Sequence, residues 1–480
     1  MVAGLARVEE RLWPLLERFL GTHDAAGLAV AVMCEGEVVA RGFGVRDVRT
    51  GAVVTPETMF HLASVSKPFV ATAVVSLALA GEGGVPPLDL DAPVVERLPE
   101  LTLADGREGE VTARGLLSHS SGLPDVSAYD WHDPQLGDEA LSDFARSLSH
   151  WRLQADPGST HSYSNAGYEL LGLLLARVVN STFEDAVRQR VLVPLGMGQS
   201  TFRRDEVPAD LAASPHLGMP LTVPGDSYPY TRRHAPSSTL HSNLVELCRW
   251  MEAHLEPGHL DPALLDLMWS PAVPVGDPPW EEAEGLGWAV GSHHGHRVLS
   301  HSGMDPGFGA RLALVPARRV GVVVLANSNT VPVSGIARAA LDLVLDEPGL
   351  DCVTDLGVLL PPVVGPVARA LAASGPEAAE AVLQRASVTT PAEHDLDDDV
   401  FVDAVWGAVE LHRTDLVWPL LRLWTRLRPG SSPAWAMTGW AHQVDGEPGP
   451  ARDRLERALE LDPENEEAAQ ILRDLPPAGR

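Results

Sequence analysis

The sequence predicts an α/β chain of the α+β kind, an antiparallel sheet flanked by helices with a helical insertion lobe, followed by a small all-α, repeat-like domain. Apolar, β-branched runs lie near the N-terminus and again after about residue 280, and between them apolar positions recur at helical spacing. Beyond a proline- and glycine-rich break near residue 350, nothing reads as strand. The length of 480 residues exceeds one ordinary core and predicts about two or three domains.

In chain order, Met1 to Leu20 is interrupted by Arg7, Glu9, Glu10 and Arg11, so it reads as an amphipathic helix rather than a secretory signal. Gly27 to Met33 reads as a buried strand, and Glu35-Gly36 turns it into a second, Val38 to Phe43. From Ser64 to about Leu79 the pattern is helical, with Pro68 near the entry, where a missing amide donor costs least. Ser64 then stands at a helix N-terminus, where unpaired amides favour developing negative charge.

Tyr168 to Val179 and Leu244 to His254 are predicted helices. Gly285 to Val290, Arg297 to Ser300, Ala310 to Val315 and Val320 to Leu325 are predicted strands, with turns at Gly295 and at Pro316 to Arg319, and Val333 to Leu345 is a closing helix. Strands at both ends imply a sheet completed by distant segments, with a cleft between it and the helical lobe. The expected domains are 1–346, with its sheet lobe from 1–60 and 280–346 and its helical lobe from 61–279, then a linker over 347–366, then a helical domain over 367–480. In that last segment Trp435, Gly439, Gly446, Ala451, Leu455, Ala458 and Pro463 fit tetratricopeptide spacing, and Pro429 lies 34 positions before Pro463. Such an array serves as a partner-binding or self-associating surface, or as a structural cap.

Of 36 basic residues one is lysine, Lys67, and it stands three positions after a serine in Ser64-Val65-Ser66-Lys67. Wherever a positive charge alone suffices, this chain uses arginine. An ammonium can be desolvated until it loses its proton near neutral pH and acts as a base, whereas a guanidinium stays charged. The spacing puts both side chains on one face of a helix.

The formal charge of -29 is spread along the chain and argues against nucleic acid and anionic membranes as partners. Cys34, Cys248 and Cys352 are odd in number and far apart, so no disulfide framework or zinc spacing is read. No run approaches the roughly 18 apolar residues of a membrane span; the longest candidate, Leu356 to Ala368, is broken by prolines. A cytoplasmic protein is expected.

Acyl transfer through serine needs a base, oxyanion donors and a group that protonates the leaving atom. Ser64 and Lys67 supply the first pair; Tyr163-Ser164-Asn165 and His301-Ser302-Gly303, followed by the glycine-rich Met304 to Gly309, are the other candidate elements. Their order resembles the serine β-lactamase, penicillin-binding protein and esterase superfamily, in its class C-like branch with family VIII esterases, D-aminopeptidases and acyltransferases. The resemblance spans about Leu12 to Leu345 and also rests on Leu116 to Pro124, Pro194-Leu195-Gly196-Met197 and Gly285-Leu286-Gly287-Trp288. It implies Ser64 as the acylated nucleophile, and Lys67 with Tyr163 as the proton-handling pair, either of the two being the base. Asn165 would hold Lys67 and the substrate amide, and the backbone amides of Ser64 and Met304 would form the oxyanion hole. His301-Ser302-Gly303 would bind substrate.

Where β-lactamases of that family carry Lys-Thr-Gly, this chain has His301-Ser302-Gly303, and a neutral imidazole attracts a carboxylate poorly. The expected substrate is therefore an ester, amide or thioester without the β-lactam carboxylate. Arg311 reads as an outward-facing strand arginine rather than a replacement for that charge. His293-His294-Gly295-His296 falls at a hairpin tip with no carboxylate or cysteine in zinc spacing, so no metal is expected. The Gly81 to Gly84 loop lacks a phosphate-binding continuation, and no cofactor is expected. The reading is a serine hydrolase of esters or amides on small-molecule or peptidyl substrates. The alternatives are an acyltransferase or peptide cyclase using the same acyl-enzyme, and a catalytically idle binding protein.

Overall fold

Among the described residues nine strands form one antiparallel sheet, which the chain builds from segments before residue 54 and after residue 272. In chain order the strands are β1 (Gly27–Cys34), β2 (Glu37–Asp47), β3 (Ala52–Val53), β4 (Phe60–His61), β5 (His241–Ser242), β6 (Val273–Asp277), β7 (Glu281–Glu284), β8 (Ala289–His293), β9 (His296–Asp305), β10 (Phe308–Val315) and β11 (Val320–Ala326). The sheet order is β3-β2-β1-β11-β10-β9-β8-β7-β6, with β4 and β5 paired separately. β1 joins the distant halves: Leu28 faces Ala326, and Cys34 faces Val320. This computed structural model describes residues 3–80, 86–126, 128–217, 222–224, 228–277, 280–346, 360–389, 392–410 and 414–475.

β1 is buried at every position because both faces of the sheet are covered. Its period-2 alternation divides it between two cores. Leu28, Val30 and Val32 pack with the N-terminal helical segments Ala3–Arg7, Val8–Leu12 and Trp13–Thr22 and with the helix Val333–Leu345. Ala29, Ala31 and Met33 face the helical lobe, to whose core the helices Lys67–Ala80, Asn165–Val179 and Leu244–Leu255 contribute. Ala63–Ala80 is apolar and long enough by composition to cross a membrane, but 72% of it is buried inside the protein, so it is the core helix of this lobe. The apolar run read at Leu356 to Ala368 is different in kind: residues 356–359 are outside the described ones, and a helix begins at Val364.

The strand assignments differ from expectation in that β3 to β7 were not predicted and one predicted strand is broken. The predicted strand Gly285 to Val290 is split, because Gly285 to Trp288 leaves the ladder between β7 and β8. Gly287 has φ +78°, and its amide donates to Leu117 O while Leu286 N donates to Met268 O. A Cβ at Gly287 would meet Ala71 Cβ at 2.5 Å and Tyr168 Oη at 3.1 Å, so the turn is wedged against the Lys67 helix. The edge strand β6 was missed because Pro274 lies inside it, a residue tolerated only at sheet edges.

The described residues fall into two compact units, the first of Met1–Gly21, Ala25–His216 and Gly225–Gly357 and the second of Thr22–Asp24, Leu217–Pro224 and Val358–Arg480. Of the segment read as a linker, 347–359 lies outside the described residues, as do Gly81 to Gly84 and Cys352. Its last part is helical: Pro366 stands in the first turn of Val364–Ser374, where a missing amide hydrogen is harmless. In the second unit the helices Ser432–Val444 and Pro448–Leu461 pack closely, and a Cβ at Gly439 would stand 2.6 Å from Leu455 Cγ.

Candidate active site

Ser64 lies on a tight 3-10 turn, Ala63–Ser66, that leads into the helix Lys67–Ala80. The helix proper thus starts three residues later than predicted. Ala63 is held at φ +48°, a conformation that costs a non-glycine residue about 1–2 kcal/mol and that aims the next side chain out of the turn. Ser64 is partly exposed, whereas Lys67 is completely buried.

Lys67 Nζ lies 2.9 Å from Ser64 Oγ, 2.6 Å from Asn165 Oδ1 and 3.0 Å from Ser237 O. Tyr163 Oη lies 2.9 Å from Ser64 Oγ, and Lys67 Nζ sits 4.9 Å from the centre of the Tyr163 ring. The structure therefore brings Ser64, Lys67, Tyr163 and Asn165 into one hydrogen-bonded group. Asn165 opens the helix Asn165–Val179, whose N-cap Ser164 accepts from Gly167 N.

Burial pushes the Lys67 ammonium down to about 8, against the upward pull of Glu169, Asp305, Asp125 and Glu284. Burial pushes the Tyr163 phenol the opposite way, well above its ordinary value, so it stays protonated at neutral pH. The hydrogen-bond partners agree with this division. Asn165 Oδ1 and Ser237 O can only accept, so a neutral Lys67 gives both of its N–H groups to them and turns its lone pair toward the Ser64 hydroxyl. A neutral Lys67 so placed can accept the Ser64 proton, and a protonated Tyr163 can donate one.

Three supporting residues were missed in the sequence. Asp125 Oδ1 accepts from Asn165 N at 2.7 Å and Oδ2 from Asn165 Nδ2 at 3.0 Å, which fixes the Asn165 amide with its oxygen toward Lys67. Glu169 is fully buried, accepts from Ser237 Oγ at 2.6 Å and lies 3.1 Å from His234 Nδ1, bracing the Ser237 carbonyl under Lys67. His119, at φ +52°, accepts from Ser164 N and stacks on Tyr163 at 4.3 Å. A backbone carbonyl such as Ser237 O leaves no sequence signal; Asp125 follows directly after Leu116 to Pro124 and was readable in principle.

β9 carries His301, Ser302, Gly303 and Met304 along the other side of Ser64. A Cβ at Gly303 would stand 2.4 Å from Leu62 O and 3.0 Å from Ser64 N, so only glycine lets this strand lie against the Ser64 turn. Beyond it, His61 Nε2 meets Asp305 Oδ2 at 2.7 Å, both buried, tying the residue after Met304 to the strand before Ser64. His301 gives Nδ1–H to Ser302 O at 2.6 Å, and burial holds it down to about 3. It is a neutral imidazole that brings no charge to the site.

Ser64, Tyr163, Ser302, Met304, Trp280 and Arg338 line a cavity of about 460 Å³. Arg311 also lines it, which corrects the outward-facing reading: it is 3% exposed, bonded to Ser300 Oγ at 2.9 Å and Glu281 at 3.1 Å, with its guanidinium over the Trp280 ring. Its charge is matched by Glu281 and does not reproduce the missing lysine. The histidine cluster is likewise different from expectation. Asp342, from the helix Val333–Leu345, meets His293 Nε2 at 2.7 Å and His294 Nε2 at 2.8 Å, a carboxylate that local spacing cannot reveal. Trp280 Nε1–H donates to His293 Nδ1 at 3.1 Å, so His293 keeps its proton on Nε2 and gives it to Asp342. That network fits a brace for the Trp280 wall better than a metal centre.

Residues 14–347 match the family model described as Beta-lactamase. Penicillin-binding protein 4 of Amycolatopsis lactamdurans is 30% identical over 322 residues, 64% of this chain and 81% of that one. Protein flp of Staphylococcus aureus is 25% identical over 328 residues, 67% of this chain, and the match spans only 64% of flp. Among solved structures, the octameric penicillin-binding protein homologue from Pyrococcus abyssi is similar with a TM-score of 0.62 and 28% identity, over 71% of this chain and 78% of that one.

Proposed function

The chain belongs to the Beta-lactamase family, a family of serine hydrolases, and from that premise we propose that it cleaves an ester or amide bond through an acyl-enzyme on Ser64. One observation carries the reading: Ser64 Oγ is within 2.9 Å of both Lys67 Nζ and Tyr163 Oη, with Lys67 buried and biased toward its neutral form. As Ser64 Oγ bonds to the acyl carbon, its proton passes to Lys67. The carbonyl oxygen, now negative, is held by the backbone amides of Ser64 and Met304, an arrangement in which each donor contributes about 3–4 kcal/mol in comparable sites.

The leaving atom takes a proton from Tyr163, which is refilled from Lys67, so the net transfer is from Ser64 to the leaving group. Water then adds to the acyl-enzyme, releasing the acid and restoring the Ser64 hydroxyl. The neutral His301 and the internally paired Arg311 favour leaving groups without the carboxylate that a β-lactam presents. The deciding experiment is mass spectrometry of the protein after a short p-nitrophenyl ester and after a fluorophosphonate probe. Adducts on Ser64 in wild type and none in Ser64→Ala are expected; ester turnover that survives Ser64→Ala would refute the assignment.

A further inference from the structure

Met304 combines two roles in one residue. Its backbone amide is an oxyanion donor of the proposed mechanism, and its thioether stands in the cavity that holds Ser64. The side chain is 66% exposed, whereas Met33, Met59, Met197, Met251, Met268 and Met437 are all buried, so among the described residues it is the one accessible methionine.

The sheet register explains that exposure. Met304 pairs with Gly309 of β10, and opposed residues of an antiparallel pair send their side chains to the same face. Gly309 has no side chain to lay across the thioether. A Cβ there would lie 3.4 Å from Val333 Cγ1, and Val333 is another wall of the cavity. The preceding residue, Gly303, is the one whose Cβ would stand 3.0 Å from Ser64 N, so the Met304 backbone runs beside the nucleophile while its side chain stands in the open cavity.

An exposed thioether is oxidised by peroxides to the sulfoxide. Thiolates compete for such oxidants, but Cys34 is buried and Cys248 half-buried, and burial raises both thiols above their ordinary value, which keeps them protonated and unreactive. Among the described residues this leaves Met304 as the accessible, reactive sulfur.

We infer that Met304 is an oxidative modification site that switches the Ser64 centre off: a hydroperoxide converts its thioether to the sulfoxide, and the sulfoxide slows acylation. The sulfur lone pair attacks the peroxide, an S–O bond forms as the O–O bond breaks, and the thioether is oxidised by two electrons. The peroxide is reduced and leaves as water or, from an alkyl hydroperoxide, as the alcohol. The new oxygen is a strongly polar acceptor a few bonds from the Met304 amide. It competes with the substrate carbonyl for the oxyanion donors, and its negative end opposes the charge that develops there. The switch rests on the Ser64 acyl-enzyme reading; the oxidation itself does not.

The test treats wild type and Met304→Leu with dilute hydrogen peroxide and reads two quantities. One is the mass of each methionine-containing peptide; the other is the rate of Ser64 acylation by a short p-nitrophenyl ester, relative to the same protein untreated. In wild type the Met304 peptide should gain an oxygen first, and the rate should fall by about 10²-fold, as when one oxyanion donor is lost. Methionine sulfoxide reductases A and B with a thiol reductant, one enzyme for each sulfoxide epimer, should remove the oxygen and restore the rate. Met304→Leu, whatever its starting rate, should keep that rate through the same treatment. An unoxidised Met304 peptide, a fully oxidised one with the rate unchanged, or equal loss in Met304→Leu each overturns the inference. Untreated wild type that is not acylated would remove the Ser64 reading and the switch with it, a result that the peptide masses keep distinct from a failure of Met304 to oxidise.

Discussion

Asn165 presents its Oδ1, not its Nδ2, to Lys67 at 2.6 Å. Asp125 enforces that orientation by accepting from Nδ2, and the consequence runs to the nucleophile. With Asn165 Oδ1 and Ser237 O both obliged to accept, the free electron pair of a neutral Lys67 has Ser64 as its remaining partner. The sequence left the base open between Lys67 and Tyr163; the hydrogen-bond pattern and the opposite effects of burial on an ammonium and a phenol favour Lys67.

Acylation should therefore rise with pH through about 8, the value to which burial lowers Lys67, and level off above it. Lys67 is charged below that value and cannot accept the Ser64 proton; above it, it can. Tyr163→Phe should slow acylation by about 10²-fold, the usual contribution of a proton donor, and keep the same rising limb. Pre-steady-state release of p-nitrophenol from pH 6 to 10 reads both. Disappearance of the limb in Tyr163→Phe would assign the base to the phenol instead.

Much of this frame was legible locally. The hairpin at Glu35-Gly36 and the helix Val333–Leu345 follow from patterns within a few residues, and strands at both ends of the helical stretch already imply one sheet built from distant segments. What was not legible depends on partners far along the chain. Arg311 looked like a surface arginine because nothing nearby announces Glu281, and the histidines at the β8–β9 turn looked isolated because Asp342 is 49 positions from His293. The Gly285 to Trp288 segment has apolar residues that suit a strand, but the amides of Leu286 and Gly287 go to the ends of two helices and that of Gly285 turns back to Trp288 O. Within the site the motif serine, lysine, tyrosine and asparagine were readable as residue types, whereas Ser237 contributes only a carbonyl oxygen.

Gly303→Ala should separate β9 from the nucleophile turn. The added methyl meets backbone atoms, Leu62 O and Ser64 N, which cannot yield as a flexible side chain would. The expected result is a fall in acylation rate of about 10²- to 10³-fold, that of losing one oxyanion donor, in a protein with near wild-type circular dichroism. Wild-type acylation would show that the spacing of Ser64 and Met304 tolerates the shift.

Asp305→Ala removes the acceptor that ties β9 to His61 and leaves a buried imidazole N–H unpaired. The loss should exceed that of Asp305→Asn, which keeps an oxygen for His61, and the unpaired donor should cost about 1–3 kcal/mol of folding stability. Urea unfolding of the two variants gives the comparison. Equal destabilisation by Ala and Asn would mean that the charge, not the hydrogen bond, does the tying.

Glu284 should make the protein less stable as pH rises toward 8. Its Oε1 is buried without a partner, and burial raises the carboxyl from 4.5 to about 8. At neutral pH the folded protein keeps a proton that the unfolded chain has released. A group raised in the folded state contributes its full stability below the unfolded value, here 4.5, and loses it as pH climbs to about 8. Lys67, lowered by burial, acts in the separate window above 8, where its neutral form favours folding as pH rises further. Glu284→Gln removes the titration while keeping the shape. The drop in unfolding free energy between pH 5 and pH 8 should then shrink by on the order of 3 kcal/mol relative to wild type. Denaturant titrations at the two pH values measure it, and an unchanged drop would place the Glu284 carboxyl in contact with solvent rather than in the core beside Lys67.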